Sequence, residues 1–117
     1  MKTSIVVRLN VEGIHNWPEA RNVFPEVGFL SDPHRHIFHI ECKKQVTHDD
    51  RDIEIIMFKR DILDYLSVNY STIIAAPTVH DFGSKSCEML ARELLMEFKL
   101  DYCQVLEDNE NGAEIWK

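Results

Sequence analysis

Two stretches of this chain alternate apolar and polar residues with a period of two, and the rest of the fold must fit around the strands they dictate. From Thr3 to Gly13, Ile5, Val7, Leu9 and Val11 fall on one face, while Ser4, Arg8, Asn10 and Glu12 share the other with Val6. From His34 to Val46, His36, Phe38, Ile40 and Cys42 share one face, and Arg35, Ile37, His39, Glu41 and Lys43 the other. Successive side chains of a strand point to opposite faces, so each stretch reads as a strand with one buried side. Between them, Asn16 to Pro33 carries Pro18, Pro25, Gly28 and Pro33, which break regular structure. A connection this long in a small domain usually carries function.

The period then changes. Ile55, Phe58, Ile62 and Leu66, with Leu63 beside them, form a helical stripe within Arg51 to Ser67. Cys87, Leu90, Ala91, Leu94, Leu95 and Phe98 form a second stripe and predict a helix from Lys85 to Lys99. Asn69 to Gly83, with Pro77 inside it, reads as a second long loop. Tyr102 to Glu107 and Ala113 to Trp116 read as short strands, and Asn111-Gly112 between them suits a turn needing positive φ. The expected order is β-β-α-α-β-β: an α+β fold with a four-stranded antiparallel sheet and both helices on one face. Such a sheet leaves edge strands open, which predicts self-association.

The 117 residues are expected to form one domain. A net charge of −7 argues against nucleic acid or an anionic membrane as the main partner, although it says nothing about a local cationic pocket. No apolar run approaches the ~20 residues of a membrane span, and the start lacks the apolar region of a secretion signal, so a cytoplasmic location is expected. Cys42, Cys87 and Cys103 show no paired spacing and read as buried thiols acting as small apolar residues.

Three histidines carry chemistry. His34 and His36 lie two apart on a strand and so point to the same face. That pair alone is a weak signal, and incidental surface or core histidines are the commoner reading. His15, just after the first strand, changes the picture, because a hairpin between the two strands brings it to the His34 end of the second. Zinc takes imidazole ligands, often three from the protein with one position open. His39 falls on the opposite strand face and His48 in a charged turn, and neither shares this geometry.

With that pattern in view, the chain resembles the tetrahydropterin synthase family, which includes 6-pyruvoyl tetrahydropterin synthase and the queuosine-pathway 6-carboxytetrahydropterin synthase. Val11-Glu12-Gly13-Ile14-His15-Asn16-Trp17 is similar to the family's first-strand motif ending in Ala-His-x-Leu. His34-Arg35-His36-Ile37-Phe38 is similar to its His-Gly-His-Asn-Tyr motif, and Ser86-Cys87-Glu88-Met89-Leu90-Ala91 to its Pro-Thr-x-Glu-Asn-Leu-Ala helix start. Val105-Leu106-Glu107 and Ala113-Glu114-Ile115-Trp116 resemble its closing Val-x-Glu-Thr…Ala-x-Tyr hairpin. The resemblance implies the T-fold, whose subunits join into a barrel and usually stack as a homohexamer. It also implies a Zn2+ cofactor and a pterin-like ligand gripped by Glu107.

The family's proton-transfer positions are not matched. Leu30 stands where the catalytic cysteine is expected, and Asp64-Tyr65-Leu66-Ser67-Val68-Asn69 lacks the Leu-Asp-His motif. Asp32, two residues before His34, and His80, followed by Asp81 that could orient its ring, are the candidate substitutes. The plainer reading of Asp32 is a turn or cap residue before Pro33, and that of His80 a loop histidine. Arg8, Arg21, Lys43 and Lys44 are candidates for holding a triphosphate. The resemblance thus implies a zinc-dependent lyase acting on a dihydroneopterin triphosphate-like substrate. The alternative is a catalytically silent member that binds a pterin or purine-like ring.

Overall fold

A computed structural model describes residues 1–72 and 78–117. Strand β1 (Thr3–His15) leads into a short helix α1 (Ala20–Val23), a 3₁₀ stretch (Pro25–Ser31) and strand β2 (His34–Val46). Helix α2 (Ile55–Tyr70), strand β3 (Val79–Gly83), helix α3 (Cys87–Glu97) and strands β4 (Tyr102–Glu107) and β5 (Asn111–Trp116) follow. Residues 16–33, read as irregular, thus contain two short helical segments. Pro77, read as part of the second loop, lies outside the described residues.

The sheet has five strands in the order β3-β1-β2-β4-β5. β1–β2, β2–β4 and β4–β5 are antiparallel, while β3 runs parallel to β1. The expectation of four antiparallel strands is therefore corrected: the four expected strands are antiparallel, and a fifth joins the β1 edge to make the sheet mixed. β3 escaped the sequence reading because five residues ending in Gly83 carry too short an alternation to outweigh the loop signals around them.

The core lies between the alternating strand faces and both helix stripes. Val7, Leu9, Val11, Phe38, Ile40 and Val105 from the sheet meet Phe58, Ile62 and Leu66 of α2 and Leu90, Ala91 and Leu94 of α3. Fully burying one such side chain contributes roughly 1.5–3 kcal/mol. α2 begins at Ile55 rather than near Arg51 because Arg51 takes φ 57°, outside helical space. The Glu54 side chain then caps the helix by accepting from the Met57 amide at 2.6 Å. Ser86 caps α3 in the same way through the Met89 amide at 3.2 Å.

The β4–β5 turn also differs from expectation. Asp108 and Asn109 adopt the positive φ values, 54° and 58°, while Asn111 and Gly112 belong to β5. Gly112 serves a close approach instead, since a Cβ there would lie 1.9 Å from the Val105 carbonyl oxygen. The shift matters for the site, because it puts Asp108 in the turn immediately after Glu107.

Candidate metal centre

The β1–β2 register builds the site. His15 stands opposite His34, and Gly13 opposite His36. Since directly paired residues share a face, all three imidazoles lie on the core side of the sheet, beyond Phe38. The Phe38 ring meets His15 edge-on at 5.1 Å and His36 at 5.8 Å between centroids, forming the apolar floor. Gly13 leaves that floor room: a Cβ there would lie 2.5 Å from the Phe82 ring and 2.9 Å from Phe38. Phe38 pairs in turn with Glu107 of β4, which brings a carboxylate to the same face.

The three rings pack with centroids 4.5 Å (His15–His34), 5.1 Å (His34–His36) and 5.5 Å (His15–His36) apart. Each is held from outside through Nδ1. The His15 Nδ1–H donates to the Lys85 carbonyl at 2.8 Å and that of His34 to the Asp32 carbonyl at 2.9 Å. The His36 Nδ1–H donates to the Asp108 carboxylate at 2.7 Å. These partners can only accept, so each Nδ1 carries the hydrogen and Nε2 is left to face inward. Glu107 Oε2 sits 2.7 Å from His36 Nε2 and 3.1 Å from His15 Nε2.

Imidazole Nε2 atoms and a carboxylate oxygen thus converge on one point, an arrangement that a bound cation, or a proton shared with Glu107, relieves. Ligand atoms of His15, His34, His36 and Glu107 all lie within 4.8 Å of one another, so the group could hold a metal ion. Donors around a four-coordinate ion with bonds of ~2.0–2.1 Å stand about 3.3 Å apart, so only small side-chain adjustments are needed. Outer partners on every histidine are what metal sites use to fix tautomer and ring orientation.

The proposed catalytic substitutes lie outside this group. The Asp32 carboxylate faces Arg21 at 2.8 Å, and the residue reaches the site only through its carbonyl. His80 is buried on β3, with Nδ1 against the Glu12 carbonyl at 3.1 Å and its ring stacked on Phe82. Asp81 accepts from the Gly83 amide at 2.9 Å, so this bond ties it to its own strand rather than to His80. His39 lies on the opposite sheet face, and His48 faces Asp52 at 3.7 Å.

A cleft of about 520 Å³ opens beside the cluster. His15, His34 and Glu107 line it, with Trp17, Leu30 and the first turn of α3, Ser86 to Met89, around them. Cys87 lines it too, and burial, reinforced by the Glu107 and Glu88 charges, pushes its thiol up to about 12. Of the cations proposed for a triphosphate, none lines the cleft. Arg8 pairs with Glu41, Arg21 with Asp32, Lys44 binds the Phe98 carbonyl, and Lys43 lies over the Tyr102 ring.

Sequence reasoning missed Lys85 and Asp108. Lys85 acts through its backbone, which no residue pattern reports. Asp108 was hidden by the misplaced turn, although Glu107-Asp108 at the end of a strand was visible.

No protein-family model and no curated protein matches the chain. Among solved structures it is similar to an uncharacterized protein from Wolinella succinogenes, with a TM-score of 0.56 and 11% identity. The alignment covers 100% of this chain and 99% of that one. At that identity the likeness shows the fold alone, a mixed α+β domain.

Proposed function

We propose that this chain is a zinc protein of the T-fold type that binds a pterin-like ring beside its metal. The observation that carries the reading is the convergence of three outward-anchored histidines, His15, His34 and His36, beside a cleft that His15, His34 and Glu107 line. Imidazole donors suit zinc, which when bound supplies a Lewis acid for an oxygen of the ligand. Glu107 closes the cluster on one side and the cleft on the other. Its carboxylate can accept two parallel hydrogen bonds from a 2-amino-pyrimidinone edge. Trp17, Leu30 and Met89 supply apolar walls for a planar ring. Unpaired sheet edges support assembly into a barrel: β3 pairs with β1 only from Glu12 to His15, so among the described residues no strand pairs with the outer edge of β1 from Thr3 to Val11.

Binding without the lyase step is the form of this reading the side chains favour, because Asp32 and Asp81 are engaged elsewhere and the His80 Nδ1 is held by the Glu12 carbonyl. Isothermal titration of zinc-loaded protein with sepiapterin or biopterin tests it. Glu107→Gln exchanges an acceptor oxygen for a donor, and losing one charge-assisted bond of ~1.5–3 kcal/mol weakens binding roughly ten- to a hundredfold. Glu110→Gln, in the adjoining turn, binds normally. Equal affinity of wild type and Glu107→Gln removes the ring-binding assignment. Product formed from dihydroneopterin triphosphate replaces the silent form with the lyase.

A further inference from the structure

Two of the three outer partners of the histidines are backbone carbonyls, and the third is a charged side chain. We infer that Asp108 is a positioning residue of the metal centre, setting the tautomer of His36 and adding the second negative charge that balances a divalent cation. The inference rests on the metal reading above.

Three observations carry it. The Asp108 carboxylate is shared: Oδ2 accepts from His36 Nδ1 at 2.7 Å, and Oδ1 accepts from the Ile37 amide at 2.9 Å. Those two donors belong to consecutive residues of β2, so the carboxylate is fixed by the strand whose ligand it orients. Its own backbone is fixed as well, because Asp108 sits at φ 54° and its amide donates to the Ile37 carbonyl at 2.8 Å. Asp is one of the few residues with a side chain that tolerate this left-handed conformation. Finally, Glu107 and Asp108 are consecutive, so one hairpin delivers the carboxylate inside the cluster and the carboxylate behind it. Two carboxylates and three neutral imidazoles carry a charge of about −2, which a divalent ion cancels; lone outer carbonyls would leave half of it uncompensated.

Substitution separates this role from that of a turn anchor. Asn tolerates the same backbone, and its amide oxygen can keep the Ile37 bond, but its NH₂ then faces His36 Nδ1–H, donor to donor. His36 escapes that clash by moving its hydrogen to Nε2, which can no longer ligate. Asp108→Gly also tolerates the backbone and loses both bonds. Zinc affinity is measured by competition with a chromophoric chelator for wild type, Asp108→Asn, Asp108→Gly and the distant control Asp49→Asn. Outer-partner loss predicts a fall of roughly 10–100-fold in both Asp108 variants and none in the control. Nitrogen-15 spectra of the zinc-loaded proteins show His36 carrying its hydrogen on Nδ1 in wild type, and that signature weakens in Asp108→Asn. Wild-type affinity in Asp108→Asn with loss only in Asp108→Gly identifies a turn anchor and overturns the inference, as does an unchanged His36 spectrum. A wild type that binds no zinc overturns the metal reading itself and takes this inference with it.

Discussion

Glu93→Gln probes the polar network that ties both helices to the loop behind the site. The Glu93 carboxylate, 20% exposed, accepts from the hydroxyls of Tyr65 at 2.7 Å and Tyr70 at 2.5 Å, and from the Lys85 ammonium. Tyr65 and Tyr70 belong to α2, Glu93 to α3, and Lys85 to the loop whose carbonyl holds His15. Glutamine keeps the shape but removes the charge, and every bond loses its charge assistance. The amide oxygen can still accept from Lys85, while the new NH₂ can bond a tyrosine only if that hydroxyl turns to accept. The Lys85 side chain is 38% exposed, which screens its share. A loss of about 2–3 kcal/mol is expected.

The pH dependence has a definite sign. Burial alone would raise the Glu93 carboxyl, but the bonds from Lys85, Tyr70 and Tyr65 outweigh it and hold it below the ordinary range. A lowered acid stabilises the fold above its unfolded value, and that stability disappears as pH falls through the folded value. The Glu93 bond raises Lys85, while burial and then the Glu93 bond raise Tyr70. Their contribution is full below the unfolded values and is lost as pH rises through the folded ones. The gap between wild type and Glu93→Gln is therefore widest near neutrality and closes at both extremes. Urea unfolding at about pH 7, and again at about pH 3.5, measures it. A gap below about 0.5 kcal/mol at neutrality, or one that widens in acid, would refute the reasoning.

Gly13→Ala puts a methyl into the contact between Phe82 and Phe38 and is expected to cost about 1–3 kcal/mol by denaturation. A neutral Gly13→Ala would show that the floor under the histidines is loosely packed. The β1 edge, which no described strand pairs from Thr3 to Val11, predicts an oligomer, with a hexamer expected from the barrel reading, and a clean monomer by light scattering would count against that assembly.

The strands that carry the clustered histidines and Glu107 were legible in the sequence because alternation needs no tertiary context. His34–Val46 and Tyr102–Glu107 have the boundaries their patterns predict, and the His15/His34/His36 grouping followed from strand pairing alone. β1 ran two residues further than expected, to His15, because pairing with His34 extends the hairpin beyond the apolar alternation. What was not legible depended on long-range pairing or on single backbone angles. β3 exists because β1 offers an edge at Glu12–His15, which its own five residues cannot announce. The α2 start depended on one left-handed residue, Arg51, and the last turn on Asp108 and Asn109 taking positive φ where Asn111-Gly112 was the stronger signal. Glu107 was read as a ligand-gripping acid, and its contacts with His15 and His36, which no sequence pattern announced, also bring it into the cluster.

Metal content tests the central claim most directly. Protein purified without chelator and measured by atomic emission is expected to carry about one zinc per chain. His34→Ala and His36→Ala should each lose most of it, while His39→Ala and His48→Ala retain it. Full zinc retention in His34→Ala, or a wild type that takes up no divalent ion when titrated, would contradict the account.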